Sequence, residues 1–212
     1  ARDLLTVPAL SQGNSILIRK ESAKLFLWNL IFFLKKSSKE ALRFALETYG
    51  VPDHHPQALK ENFARICEDE VETYLYHELG ELKDTDFDRE VWRGIVAAFP
   101  HSLIEFFVRA VKDILADTNE HGKLSYIIRE RKAASFALYA AFLDGLRKML
   151  FPELAEAFKG FKETHHWEPV EEARWSGYRA ARAHAEAITE IYRIGKGDMA
   201  WVAKEIERTV LG

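Results

Sequence analysis

Apolar residues recur every three or four positions along most of the chain, with short breaks at proline and glycine. This spacing is typical of amphipathic α-helices, and the strict alternation of a half-buried strand is not sustained. The pattern predicts an irregular segment over residues 1–20, followed by seven to nine helices. The predicted helices span roughly residues 21–36, 38–50, 56–83, 84–99, 100–119, 124–150, 153–163, 170–194 and 198–210.

Several of these boundaries carry residues that commonly begin or end helices. Ser38 and Asp198 are suited to N-caps, Pro56 to a first helical turn and Gly50 to a C-terminal stop. No low-complexity linker or internal repeat divides the chain. The sequence therefore predicts a single all-α domain over residues 1–212, built as a compact, two-layer, multi-helix bundle.

The stretch 133–143 (AASFALYAAFL) is apolar on every side of a helix. Such a helix has no solvent face, so we expect it to lie at the centre of the fold. Its alanines would allow neighbouring helices to approach closely.

Polar residues interrupt an apolar stripe in the helix predicted over 56–83. At about 100° per residue, one stripe holds Leu59, Phe63, Ile66, Glu70, Tyr74, His77 and Glu81. If this stripe faces the core, Glu70 and His77 point inward, where an ionised carboxylate is costly unless it is paired or bound to a metal. Glutamate and histidine on one helix face are common ligands of iron, manganese or zinc.

A second apolar stripe on the same helix supports another interpretation. Val71, Leu75, Leu79 and Leu82 lie more than one third of a turn away from the first stripe. If the buried side follows these residues, Glu70 and His77 are solvated. Periodicity alone leaves both orientations open.

Two later residues are also candidates for a buried site. Glu130 shares a side of the predicted 124–150 helix with Ala134 and Ala137, although an ion pair with a neighbour such as Arg129 is the simpler interpretation. His184 lies on a face of small and apolar residues without another charge. It is either a hydrogen-bonded core histidine or a ligand.

Polar residues recur every four positions in the helix predicted over 100–119. They are His101, Glu105, Arg109, Asp113 and Asp117, and apolar residues occupy the opposite side. We interpret this series as a solvent face with ion pairs.

Composition narrows the possible classes of protein. Hydrophobic residues make up 48% and charged residues 30% of the 212, and the formal net charge is -3. This balance, without a basic stripe, argues against nucleic-acid binding. The most apolar run, residues 25–34, is about half of the length needed to span a bilayer. The lone Cys67 is interpreted as structural, and a bacterial cytoplasmic location is the default expectation.

Taken together, these polar residues resemble the ligand arrangement of one superfamily. Glu70 and His77 are seven positions apart, Glu130 follows on a later helix, and His184 lies on a late helix. This is similar to the haem-oxygenase-like di-iron oxidase or TenA-like superfamily, whose first helix supplies Glu-x6-His, a middle helix Glu, and a late helix His-x3-Asp-x2-His. The resemblance implies a compact helical fold and O2-dependent chemistry at a non-haem metal site.

The late helix departs from the pattern of that superfamily. With His184 on the last histidine, the two other ligand positions fall on Gly177 and Ala181, which cannot ligate metal. The resemblance thus leaves four ligands, enough for one metal ion.

Three hypotheses about function follow. The first is an iron- or manganese-dependent enzyme in which Glu70, His77, Glu130 and His184 bind the metal and Tyr74 hydrogen-bonds near it. The second is a relative without metal that binds a small molecule in the same cavity. The third is a non-enzymatic protein that acts through a partner or as a homodimer, with Trp28, Phe32 and Phe33, or the region from Trp167 to Trp175, as contact surface.

Overall fold

The computed structural model describes residues 7–32, 39–52 and 55–211. Apart from one hairpin, the regular elements are helical, which confirms the predicted all-α class. The hairpin comprises β1 (Ala9–Gln12) and β2 (Ser15–Ile18). The helices are α1 (Lys20–Phe32), α2 (Lys39–Thr48), α3 (Pro56–Lys83), α4 (Arg89–Ala98), α5 (Leu103–Thr118), α6 (Lys123–Arg129), α7 (Ala133–Phe142), α8 (Gly145–Leu150), α9 (Glu153–Thr164), α10 (Glu168–Ile194) and α11 (Met199–Ile206), followed by a π-helical turn (Glu207–Leu211).

Helix α5 lies between the two longest helices, since it packs on α3 along one side and on α10 along another. Helix α7 packs on α2 and also contacts α3, α6 and α9. Nearly every residue of α7 is buried, from Ala134 to Tyr139 without a gap, as its uniformly apolar sequence predicted. The two helices α5 and α7 therefore run through the interior of the fold.

Most helix ends follow the local sequence signals. Helix α3 begins at Pro56 and extends to Lys83, and α2 ends just before Gly50, whose φ of 79° is readily adopted only by glycine. The carboxylate of Asp198 accepts a hydrogen bond from the Trp201 amide at 3.0 Å and caps α11. The predicted cap Ser38 lies outside the described residues.

The prediction of an irregular segment over residues 1–20 was wrong for residues 9–18. This stretch forms the β1–β2 hairpin, with Ala9 opposite Ile18 and Gln12 opposite Ser15. Gly13 and Asn14 make the turn, and the φ of Gly13 is 59°. Glycine followed by asparagine is a turn signal for a two-residue hairpin, and the strands are too short for a sustained alternation to reveal them.

The single helix predicted over 124–150 is instead three helices, α6, α7 and α8. The first break follows Glu130, where Arg131 has a φ of 53°, and the second precedes Gly145, which also has a φ of 53°. Splitting this stretch explains why the described residues form eleven α-helices rather than seven to nine. No proline lies at either break, and the helical spacing of apolar residues continues through both, so the sequence predicted one long helix.

No helix within the described ranges has the length and apolar character needed to cross a bilayer. Helix α1 does expose apolar side chains, namely Leu25, Trp28 and Phe32. Trp28 packs against Phe32 with ring centroids 4.3 Å apart. Phe33, the third residue of this predicted contact surface, lies outside the described residues. In the other predicted contact region, Trp167 is buried and Trp175 is exposed.

Candidate functional site

A cavity of about 660 Å³ opens between α3, α5 and α7. Its walls mix aromatic side chains with charged groups of both signs. The ionisable side chains that line it are Glu70, Tyr74, His77, Glu78, Glu81, Arg109, Lys112, Asp113, Asp117, Lys123, Tyr139 and Arg147. Its volume lies within the range typical of small-molecule sites, roughly 300–1,000 Å³.

Helix α3 contributes one wall through its first apolar stripe. Glu70 is 3% exposed and Tyr74 is also buried, so the inward orientation of this stripe is the one found. The His77 side chain is 27% exposed and faces the cavity. Residues of the second stripe, such as Val71 and Leu75, are only partly buried.

A glycine sets how closely α3 approaches α5. A Cβ atom on Gly80 would lie 1.9 Å from the carbonyl oxygen of Ala116. The Asn119 side-chain amide donates a hydrogen bond of 2.9 Å to the Gly80 carbonyl and closes the same contact. This close approach places His77, one turn before Gly80, beside Asp117 of α5.

Three side chains from three helices form a continuous hydrogen-bonded chain that ends in the cavity. The Tyr139 hydroxyl of α7 donates to Asp117 Oδ2 at 2.9 Å. Asp117 Oδ1 lies 2.7 Å from His77 Nδ1. Because a carboxylate can only accept, His77 Nδ1 carries the proton, and Nε2 is the nitrogen left to exchange protons.

This arrangement shifts the pKa values of both members of the ion pair. Burial disfavours the imidazolium form, but the charge of Asp117 and its hydrogen bond raise the pKa of His77 above the ordinary 6.5. Burial likewise disfavours the Asp117 carboxylate, yet His77 holds the pKa of that carboxyl below the ordinary 3.8. The pair is therefore charged over a wide pH range, and His77 remains a proton donor to higher pH than a free histidine.

Glu70 lies deeper and is held by neutral donors. The hydroxyl groups of Ser135 and Tyr49 donate to its carboxylate, the latter at 3.4 Å. The Thr73 hydroxyl donates to the Glu70 backbone carbonyl at 2.8 Å and lies 3.3 Å from Oε2. Burial is the largest influence and raises the pKa of Glu70. Since no described cation lies within ion-pair distance, Glu70 is a buried acid that tends toward its protonated form.

Two cationic side chains, Lys123 and Arg147, also line the cavity. The Lys123 ammonium group lies 5.1 Å from the ring centroid of Tyr74 and 5.7 Å from that of Tyr139. Arg147 of α8 lies 3.9 Å from Asp144 and donates to the Phe142 carbonyl at 3.5 Å. Burial lowers the pKa of Lys123.

The structure brings together only part of the predicted metal site. Glu70, Tyr74 and His77 line the cavity, whereas Glu130 and His184 do not. Glu130 is the exposed C-cap residue of α6 and pairs with Arg129 at 2.9 Å. Its placement inside a central helix was wrong because α6 ends there.

His184 of α10 is half-buried and packs edge-on against Phe107, with ring centroids 5.5 Å apart. Burial lowers its pKa, as expected for a histidine packed beside an apolar ring. The Cβ position of Gly177, one of the vacant positions of the superfamily pattern, would overlap the ring of Phe151. The four predicted ligands therefore do not fit a single metal ion.

Asp117, Lys123 and Tyr139 are side chains of the candidate site that the sequence did not single out. The interpretation of Asp117 as part of a solvent face was wrong, since it is 2% exposed. Asp113 and Arg109 of the same series also line the cavity. The polar series marked the correct side of α5, but nothing in its spacing indicated that α3 would cover it. Tyr139 and Ser135 carry the two hydroxyl groups of the mainly apolar helix α7, and these hydroxyls were the available signal.

Comparison with known proteins places the chain in a family. Residues 24–209 match the family described as "Family of unknown function (DUF6866) C-terminal domain", and the protein belongs to that family. No curated protein and no solved structure matches the chain. The resemblance to haem-oxygenase-like proteins stays a prediction.

Proposed function

We propose that this member of the DUF6866 family is an enzyme that transfers protons to and from a small molecule bound in the cavity. The observation that carries the proposal is the chain from Tyr139 through Asp117 to His77, which ends at the cavity wall. A carboxylate that fixes one nitrogen of a histidine leaves the other oriented for acid–base work.

Each residue of the chain has a distinct role in this mechanism. His77 exchanges a proton with the bound molecule at Nε2. Asp117 orients the ring and stabilises the imidazolium form, and Tyr139 satisfies the second oxygen of this buried carboxylate. Charges of both signs around the cavity are suited to a polar or ionised molecule rather than a hydrocarbon.

Proton transfer can be tested without knowing the substrate. A set of small carbon acids is incubated with the protein in D2O, and exchange of C–H for C–D is followed by NMR. We expect exchange with at least one compound, a large loss in His77→Gln, and no loss in the matched control His166→Gln, whose histidine is exposed. Exchange that is equal in the wild type and His77→Gln would refute the role of His77.

NMR titration of the histidine rings provides a second test. The resonance lost in His77→Gln should titrate above the ordinary value of 6.5 in the wild type. In Asp117→Asn its pKa should fall, because the neutral amide no longer stabilises the imidazolium. A His77 pKa that does not respond to this substitution would contradict the proposed role of Asp117.

Metal-dependent catalysis is a second candidate, favoured by a different group of side chains. One ligand atom from each of His77, Glu78 and Glu81 lies within 4.8 Å of the others. Glu78 is buried and makes no hydrogen bond or ion pair with the described residues. Asp117 holds Nδ1 of His77, and such a contact is common around histidines that bind a metal through their other ring nitrogen. Lys112 already pairs with Glu81, so an iron or manganese ion would have to displace it.

Metal analysis of the purified protein separates the two candidates. Stoichiometric iron or manganese that is lost in both His77→Ala and Glu81→Gln, but kept in His184→Ala, would favour the metal enzyme. A protein without metal whose proton exchange still depends on His77 would exclude it.

A further inference from the structure

Two lysines line the cavity, and they differ in their polar contacts within the described residues. Lys112 pairs with Glu81. The ammonium group of Lys123 makes no hydrogen bond or ion pair with the residues in the described ranges and rests between the rings of Tyr74 and Tyr139. Its three donors are therefore left for solvent or for a molecule in the cavity.

The two nearest carboxylates are already committed to other donors. Glu70 accepts from hydroxyl groups, and both oxygens of Asp117 are engaged, one by Tyr139 and one by His77. They influence Lys123 through charge but do not form a contact pair with it. The carboxylates therefore do not hold Lys123 in a contact pair, and a molecule bound in the cavity that Lys123 lines has access to its Nζ. The two tyrosine rings favour the ammonium form, so any neutral amine must come from the loss of solvation.

Charged and aromatic groups from four neighbouring helices face Lys123. They are Glu70, Tyr74 and His77 of α3, Asp117 of α5, Tyr139 of α7 and Arg147 of α8. The loss of solvation on burial outweighs the two carboxylates, Arg147 acts in the same direction as burial, and the pKa of Lys123 is lowered. Because a lowered pKa increases the fraction of neutral amine at a given pH, the nucleophilic form of Lys123 is more populated than that of an ordinary lysine.

We propose that Lys123 is a catalytic residue that forms an imine with the carbonyl carbon of a small aldehyde or ketone bound in the cavity. Nζ attacks the carbonyl carbon, a C–N bond forms, and the π bond of the carbonyl group breaks. One proton passes from nitrogen to oxygen and gives a carbinolamine. After a second proton is taken up from solvent, the oxygen leaves as water while the nitrogen lone pair forms the C=N bond, and the product is a protonated imine. The two electrons of the broken C–O bond depart with the water, so the step needs no oxidant or reductant.

The imine would make the proposed proton transfer easier. A protonated imine withdraws electrons from the adjacent carbon, so a hydrogen on that carbon becomes more acidic and the neutral form of His77 can remove it. Only this second stage rests on the proposed function of His77. Formation of the imine itself depends on Lys123.

Reductive trapping tests the proposal with simple probes. The intact protein is incubated near pH 7 with glyoxylate, acetaldehyde or acetone in the presence of sodium cyanoborohydride, which reduces an imine to a stable amine. Peptide mass spectrometry then measures the modification of each lysine. Lys148, exposed on the neighbouring helix α8, is the internal reference, and Lys123→Arg keeps the positive charge but cannot form an imine.

We expect Lys123 to be modified faster than Lys148 by on the order of tenfold, because its lowered pKa leaves more of its amine in the neutral form that attacks the carbonyl group. Modification of Lys148 and the other exposed lysines should be unchanged in Lys123→Arg, whose fold is checked by circular dichroism. An unmodified Lys123, or one that reacts no faster than Lys148, would overturn the proposal.

The outcome in His77→Gln separates this inference from the proposed function. If Lys123 is trapped equally well in the wild type and His77→Gln, and neither exchanges C–H for C–D, the imine stands and the proton-transfer role of His77 fails. If proton exchange depends on His77 but Lys123 is not trapped, the proton-transfer role of His77 is supported and the imine at Lys123 is refuted.

Discussion

Helix α7 has two sides with opposite chemistry, and comparing them shows how this fold builds a site inside a core. On one side, Phe136 packs against Phe161 and Phe158 with ring centroids 5.2 and 5.9 Å apart. On the other, Ser135 and Tyr139 donate hydrogen bonds to Glu70 and Asp117. We call the first side the aromatic core and the second the polar wall.

The two sides depend on different physical terms. The aromatic core is stabilised by burial and close packing, so its contribution varies with the volume that is filled. In the polar wall each buried charge depends on a particular partner, so removing one group leaves another unsatisfied. We therefore expect substitutions in the aromatic core to change stability at every pH, and substitutions in the polar wall to change pKa values and the pH dependence of stability.

The largest effect is expected from Phe136→Ala in the aromatic core. Loss of this fully buried ring should lower the free energy of unfolding by about 3–5 kcal/mol. Denaturant titration measures the change, and Met149→Ala, at a side chain 75% exposed, is the control that should leave stability nearly unchanged. If the loss of unfolding free energy varied strongly between pH 4 and 8, the aromatic core would not be independent of pH, and the proposed difference between the two sides of α7 would be wrong.

Gly80→Ala tests the contact that joins the polar wall to α5. Its added Cβ would overlap the backbone of Ala116, so the helices must separate, at a cost of about 1–3 kcal/mol. The same movement should weaken the pair between His77 and Asp117 and lower the pKa of His77. Gly160→Ala in α9 has open space around the new Cβ and should instead stabilise the helix by about 0.5–1 kcal/mol. Equal effects of the two substitutions would contradict the importance of the close approach.

Asp117→Asn removes the charge at the centre of the polar wall, and we expect a loss of about 1–3 kcal/mol that depends on pH. The raised pKa of His77 adds stability below its unfolded value of 6.5, which is lost as the pH rises through the folded value. The lowered pKa of Asp117 adds stability above 3.8, which is lost as the pH falls through its folded value. The difference from the wild type should thus be greatest between these two values. A difference that is constant with pH would show that the pair is not ionised.

Glu70→Gln should have the smallest effect, on the order of 1 kcal/mol, since an amide oxygen can still accept from Ser135. Because burial raises the pKa of Glu70, the wild type should lose stability as the pH rises from 4.5 through the folded value. Glu70→Gln should remove this decline, and Glu68→Gln, at an exposed position on the same helix, should retain it. Urea unfolding at several pH values measures both.

The sequence by itself determined most of the long helices of this protein and much of its core, although it did not reveal the β1–β2 hairpin or the breaks between α6, α7 and α8. Periodicity and caps located α3, α9, α10 and α11, and the apolar stretch around Phe136 identified a central helix. Local propensity and periodicity are properties of neighbouring residues, so they can be read along the chain. They also singled out Glu70 and His77, because these residues interrupt an apolar stripe.

Only the tertiary structure decided which polar residues form the site. Asp117 lies on the polar side of an amphipathic helix, and that side became buried because Gly80 allows α3 to cross over it. Glu130, in contrast, became exposed because the chain leaves the helical path at Arg131. A helical pattern shows which residues share a side, but burial of that side depends on a second helix elsewhere in the sequence, here α3 over α5. For this reason Glu70 and His77 could be selected from the chain, whereas Asp117, Tyr139 and Lys123 required the fold.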